Sequence, residues 1–172
     1  MLTEFQKQKA RKSFEVHDFN GDGILTLADF ELIVENLAKL GQKQRLLEYQ
    51  ALKSAYTSFW LELQALADID NDGQVSLDEW YAYYDHHLVH LMMDFMFDLI
   101  DGDGDGEITV KEYKQFATCW NRSETEAGET FLKLDLNGDG CLTKLEILQH
   151  FDDFCYGNDP EVPGNWLWGP LS

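Results

Sequence analysis

The 172-residue sequence predicts an all-α fold: four helix–loop–helix units in two pairs, compact and globular, with an aromatic C-terminal tail folded back on the helices. Three observations carry this expectation. The same twelve-residue pattern begins at Asp18, Asp68, Asp101 and Asp135, and an apolar stripe of helical period follows each copy. The chain then ends NDPEVPGNWLWGPLS, which stops helix formation yet leaves Trp166, Leu167 and Trp168 to be buried.

The four strings read DFNGDGILTLAD, DIDNDGQVSLDE, DGDGDGEITVKE and DLNGDGCLTKLE. Oxygen-bearing side chains alternate around a central glycine, which is the EF-hand calcium-loop template. A hard divalent cation takes roughly six to eight oxygens, supplied by such a loop from positions 1, 3 and 5, a main-chain carbonyl at 7, position 9 and a carboxylate at 12. Loop one offers Asp18, Asn20, Asp22, the Ile24 carbonyl, Thr26 and Asp29; loop two offers Asp68, Asp70, Asp72, the Gln74 carbonyl, Ser76 and Glu79. Loop three offers Asp101, Asp103, Asp105, the Glu107 carbonyl, Thr109 and Glu112; loop four offers Asp135, Asn137, Asp139, the Cys141 carbonyl, Thr143 and Glu146. Gly23, Gly73, Gly106 and Gly140 sit where the loop must turn sharply. Leu25, Val75, Ile108 and Leu142 suit a short strand contact that pairs loop one with two and three with four. The position-9 hydroxyls, with an acid three residues later, also have the spacing of a helix-capping box. Asp29 is one methylene shorter than the glutamates elsewhere, so loop one is expected to be the site where Mg2+ competes with Ca2+ most readily.

The loop starts are separated by 50, 33 and 34 positions, which places an insertion after the first hand. Gly41 reads as a helix stop, and residues 42–67 as one long helix entering loop two. Ser123 and Glu126 restart the chain as a capped helix. Between loops two and three no glycine or proline intervenes over 77–100, leaving open one continuous helix or a bent one. The outgoing stripes are Phe30, Ile33, Val34, Leu37; Trp80, Tyr83, Tyr84, His87; Tyr113, Phe116, Ala117, Trp120; and Ile147, His150, Phe151, Phe154. Phe14, Phe97 and Phe131 are the incoming anchors, with Leu63 and Leu66 taking that part in the second hand. The organisation is therefore 1–90 for the N-terminal pair (loops 18–29 and 68–79), 91–160 for the C-terminal pair (loops 101–112 and 135–146), and 161–172 for the tail.

Lys plus Arg number 13 against 32 Asp plus Glu, a net charge of −19. Such a balance repels phosphates and anionic headgroups, so neither nucleic acid nor a membrane surface is an expected partner. Sixteen of the acids lie inside the loops, where four divalent cations would bring the charge from −19 to −11. Cys119, Cys141 and Cys155 have no paired spacing, which points to a reducing compartment. The N-terminal MLTEFQKQKARK lacks a signal-peptide core, and no stretch has the length of a membrane span. The expectation is a cytoplasmic monomer without catalytic residues; a protein target is possible but not indicated.

Other residues read two ways. His86 and His90 lie one turn apart but have no third ligand, so a solvated face outweighs a transition-metal site. Met92, Met93 and Met96 fit core packing better than a Met-rich target groove. His87 and His150 are either hydrogen-bonded core histidines or, with Trp60, Trp80, Tyr83, Tyr84 and Trp120, the lining of a ligand pocket. The tail either plugs a groove between the pairs or docks a partner.

Four such loops, a long second entering helix and a terminal NWLWGPLS together resemble the invertebrate sarcoplasmic calcium-binding proteins and the related calexcitins. The resemblance implies a compact cytosolic Ca2+/Mg2+ buffer with no catalytic activity, or a calexcitin-type calcium sensor. That family commonly has one or two degenerate loops, whereas all four here have complete donor sets. The alternative is similarity to coelenterazine-type luciferin-binding proteins and photoproteins. Against the photoproteins stand an intact second loop and an ending in Pro170, Leu171 and Ser172 rather than in proline.

Overall fold

Hydroxyl caps and apolar stripes divide the chain as follows in a computed structural model, which describes residues 2–40, 46–86, 96–98, 100–120 and 122–171; for 39, 40, 46–48, 85 and 86 it describes the backbone alone. Two compact units are present: Ala10–His87, and Leu2–Lys9 together with Leu88–Ser172. The expectations for Gly41, for His87, His90, Met92 and Met93, for the His86 side chain, and for a continuous or bent helix across 77–100 lie outside the described residues.

The first unit takes most of α1 (Glu4–His17), then β1 (Ile24–Leu25), α2 (Leu27–Leu40), α3 (Leu46–Ala67), β2 (Val75–Ser76) and α4 (Leu77–His86). β1 and β2 pair antiparallel, with Leu25 opposite Val75 and Ile24 opposite Ser76, so loops one and two are joined back to back. Leu25 and Val75 are fully buried and Ile24 half-buried. The stripe of α2, Phe30, Ile33, Val34 and Leu37, faces inward, as do Trp80, Tyr83 and Tyr84 of α4. Trp80 resolves its one polar atom by donating Nε1–H to the Ala10 carbonyl at 2.9 Å. On α3 the buried positions are Leu52, Tyr56, Trp60, Leu63 and Ala67, steps of four, four, three and four. Leu63 is 1% exposed but Leu66 is 46% exposed, which corrects the expectation that both anchor the second hand. A stripe that already includes Leu63 and Ala67 turns Leu66 off the buried face.

In the second unit residues 96–98 and 100 are helical and bring Phe97 into the core. There follow β3 (Glu107–Thr109), α5 (Val110–Cys119), α6 (Glu124–Leu134), β4 (Cys141–Thr143), α7 (Lys144–Tyr156) and a 3-10 turn, Pro163–Trp166. β3 and β4 pair antiparallel with Ile108 opposite Leu142, both fully buried. Thr109, Ser123 and Thr143 each close a complete capping box with Glu112, Glu126 and Glu146. Tyr113, Phe116 and Ala117 of α5 are buried and Trp120 half-buried; Ile147, His150, Phe151 and Phe154 of α7 are all buried. The tail does fold back: its 3-10 turn packs on α6 and α7 with Gly164 and Asn165 buried, and Leu167 and Trp168, which follow the turn, are buried as well. Trp166 stays half-buried beneath the Lys133 ammonium, 5.5 Å from the ring centre.

Candidate metal centre

Each loop wraps around the carboxylate at its first position, which accepts main-chain N–H groups from the turn. Asp18 accepts from Gly21 (3.0 Å), Asp22 (3.1 Å) and Gly23 (2.9 Å), and Asp101 from Gly104 (2.8 Å), Asp105 (3.2 Å) and Gly106 (2.9 Å). Asp68 accepts from Asp72 (3.1 Å) and Gly73 (3.0 Å); Asp135 accepts from Gly138 (2.8 Å) and Gly140 (3.0 Å). The third- and fifth-position side chains repeat the device two residues on. Asn20, Asp70, Asp103 and Asn137 accept from the fifth residue's N–H, and Asp22, Asp72, Asp105 and Asp139 from the seventh's. Oxygens of positions 1, 3 and 5 are thereby turned into one concavity by the backbone itself.

That wrapping needs left-handed backbone at two places. Glycine supplies it at the sixth position, with φ between 87° and 89° in all four loops. At the fourth position three loops use glycine, and loop two uses Asn71 at φ 60°, the one non-glycine residue at positive φ among those described. The sequence carried that signal, since NG, DG and DN are all short polar turn pairs, but the metal-ligand template does not ask for it.

The twelfth-position acids close the far side. Glu79 accepts from Ile69 N (2.9 Å), Ser76 N (2.8 Å) and Ser76 Oγ (2.7 Å), and Glu112 from Gly102 N (3.0 Å), Thr109 N (2.9 Å) and Thr109 Oγ1 (2.7 Å). Glu146 accepts from Thr143 N (2.9 Å) and Oγ1 (2.7 Å). Asp29 is different: its shorter arm reaches Asn20 N (3.2 Å), the third position rather than the second, with Thr26 N (2.9 Å) and Oγ1 (3.0 Å) on its other oxygen. It is 0% exposed, and its own N–H bonds the Thr26 carbonyl at 3.1 Å. In the other three loops that N–H meets the position-9 hydroxyl at 3.3–3.4 Å.

Oxygens of Asp68, Asp70 and Glu79 lie within 4.8 Å of one another, as do those of Asp101, Asp103 and Asp105. Carboxylates so close repel unless a cation lies among them. The donor set is all oxygen, which suits a hard ion such as Ca2+ or Mg2+ rather than a thiophilic metal. The candidate carbonyls of Ile24, Gln74, Glu107 and Cys141 stand at or just before the strand pairs, which fixes their direction. The Cys141 thiol donates to Asp139 Oδ1 at 3.1 Å, and Asp139 and Glu107 together push it up to about 12, so it stays a thiol.

Glu79 and Glu112 are held below the usual carboxyl value of 4.5: partial burial opposes the ionised form, but hydrogen bonds from Ser76 and Ile69, or from Thr109 and Gly102, outweigh it. A depressed folded value stabilises the fold fully above the unfolded value and ceases to do so as pH falls through the folded one. Urea midpoints measured in chelator are therefore expected to drop as pH is lowered from about 4.5, the unfolded carboxyl range. A Glu79→Gln, Glu112→Gln double variant should show a shallower drop; equal slopes would contradict this assignment.

Helix, twelve-residue oxygen-rich loop and helix, joined in twos by short strand contacts, make up the EF-hand fold. Segments 65–82, 92–117 and 128–151, which contain loops two, three and four, match the EF-hand family model. Calerythrin of Saccharopolyspora erythraea is 29% identical over 178 residues, covering 95% of this chain and 100% of its own. The luciferin-binding protein of Renilla reniformis is 24% identical over 179 residues, covering 97% and 95%. The sarcoplasmic calcium-binding protein of amphioxus shares the fold with a TM-score of 0.78 over 100% of both chains at 20% identity. The chain's homologues are thus sarcoplasmic calcium-binding proteins and calerythrin, and its fold is that of this EF-hand class.

Proposed function

We propose that this chain binds calcium through all four loops and acts mainly as a cytosolic Ca2+/Mg2+ buffer. One observation carries the binding: the same N–H wrapping around Asp18, Asp68, Asp101 and Asp135 preorganises four complete oxygen sets. The names of its relatives, sarcoplasmic calcium-binding proteins among them, support the same ion. Buffering over sensing is supported by the tail, because its 3-10 turn already packs on α6 and α7 and the Leu167 and Trp168 that follow are buried, whereas a sensor would present apolar surface to a target. Among the described residues no helix is long and apolar enough to cross a membrane.

Calorimetric titration with calcium, with and without about 1 mM Mg2+, tests this reading; millimolar Mg2+ is the competing ion in a cytosolic buffer. Four sites, at least one of them weakened by Mg2+, are expected, and a dye reporting apolar surface should not brighten as calcium is added. Strong calcium-dependent brightening would favour a calexcitin-type sensor instead. Loop one is the proposed Mg2+-tolerant site, since Asp29 draws the far side of its cage one residue inward. Asp29→Glu should raise its calcium-over-magnesium preference about tenfold, towards the range of loops closed by glutamate. An unchanged preference would rule this out.

A second reading, a small-molecule carrier of the luciferin-binding type, has one observation in its favour. Trp120 Nε1, Thr130 Oγ1 and His150 Nδ1 are buried without a hydrogen-bond partner among the described residues. His150 Nε2–H meanwhile donates to the Leu134 carbonyl at 2.7 Å, as a core histidine does. A coloured or fluorescent compound that co-purifies with the chain and is lost in His150→Phe would support the carrier.

A further inference from the structure

Lysine is almost never fully buried, yet Lys9 is 0% exposed. Its ammonium donates to the carbonyls of Asp153 (2.9 Å) and Gly157 (2.6 Å) and to Asn165 Oδ1 (3.3 Å), using all three protons. The two carbonyls close the C-terminal end of α7, where the helix dipole favours a cation. The third acceptor belongs to the tail's 3-10 turn. Phe5 and Phe154 cover the ammonium at 5.0 Å and 5.7 Å. Burial lowers its pKa to about 8, with Cys155 and Asp153 acting the other way, so it remains charged at neutral pH.

The contacts around it belong to the same junction. Thr3 Oγ1 donates to Asn158 Oδ1 (2.8 Å), Gln6 Nε2 reaches the Tyr156 carbonyl (3.4 Å), and Asn165 Nδ2 holds the Asp159 carbonyl (2.9 Å). Residues 2–9 are accordingly part of the second unit rather than the first. Helix α7 connects this junction to loop four. Near its start is Glu146, the closing acid; in its middle, His150 bonds Leu134, which immediately precedes Asp135, and supports Gly164 on its backbone; at its end is the carbonyl pair that holds Lys9.

We propose that Lys9 is the pin of a terminal clasp that locks the N-terminal segment and the tail onto α7, and that closure of this clasp is linked to ion capture by loop four. The second half rests on the calcium reading above; the clasp itself does not. Linkage is reciprocal, so an ion that tightens the clasp is bound more tightly when the clasp is closed.

Hydrogen exchange on the full chain tests both halves, with Lys9→Met, Asn165→Ala and the double variant compared in chelator and in saturating calcium. In chelator, exchange of amides 157–168 should accelerate about fivefold or more in each single variant, the lower range of coupled sites. The double variant should exchange no faster than the faster single, because both changes remove one junction. Unchanged exchange, multiplicative effects, or equal loss of protection in α5 would overturn the clasp, the last because Lys9 would then support the whole unit. Calcium should slow exchange of 157–168 in the unaltered chain and much less in Glu146→Gln; equal slowing in both would overturn the link to loop four. Absence of any calcium heat would sink the functional reading and leave the chelator comparison as the test of the clasp.

Discussion

Glu112→Gln is expected to weaken calcium binding at loop three by on the order of 100-fold. Glu112 is where two demands meet. Its Oε2 accepts from Thr109 N and Oγ1 and its Oε1 from Gly102 N, so the side chain caps α5 and draws the start of the loop towards its end. Glutamine keeps the length but loses the charge, and its amide group would point two protons at main-chain donors. The three aspartates Asp101, Asp103 and Asp105 would then face a cation without the closing carboxylate. Calorimetry should report one site fewer at micromolar calcium, with the far-ultraviolet dichroism of the ion-free protein nearly unchanged. Four sites of unaltered affinity would show that loop three does not hold the ion.

The loops were legible because their chemistry is local. Every proposed ligand of a site lies within twelve consecutive residues, and the order of residue types encodes the turn as well as the donors. The pairing of loops was legible for a related reason: Leu25, Val75, Ile108 and Leu142 occupy one equivalent position, and the strand register places them opposite one another. Stripes on α2, α5 and α7 followed from period alone. Period failed at Leu66, because two leucines three residues apart are equal claimants until the whole of α3 fixes which face is buried. It had nothing to say about Lys9, two of whose three partners are main-chain carbonyls 144 and 148 residues away that carry no residue-type signature. Composition likewise treats Asp29 as one more surface acid, though it is as buried as any core residue.

These long-range features change how the acidity of the chain is understood. A net charge of −19 reads as a solvated coat, but the acids that matter are held inward by N–H groups, and one lysine is withdrawn from the surface altogether to hold the termini. A buried charge with three hydrogen bonds contributes little net stability compared with an apolar residue of its size, but removing its partners is costly. The arrangement therefore favours one specific seating of the tail over many loosely packed ones.

Gly164→Ala is expected to have a large effect for the addition of a single carbon. A Cβ at this position would lie 2.5 Å from Asp153 Cβ, 2.6 Å from the His150 carbonyl oxygen and 3.1 Å from His150 Cα. None of these can give way cheaply, since two are main-chain atoms in the middle of α7 and the third is fixed to that helix. The 3-10 turn must lift instead. Overpacking of this kind costs about 1–3 kcal/mol, and lifting also returns part of Leu167 and Trp168 to water, at roughly 1.5–3 kcal/mol for each side chain fully exposed. The second unit should then unfold at lower urea, with an unchanged slope if the native state stays compact. The first unit, which holds no residue of this junction, serves as the internal reference. A midpoint equal to that of the unaltered chain would mean that the tail is not seated on α7 in solution. Lys9→Met combined with Gly164→Ala separates packing from the clasp. If the tail has already lifted, losing the ammonium's partners adds little, whereas full additivity would show that Lys9 holds α7 independently of the tail.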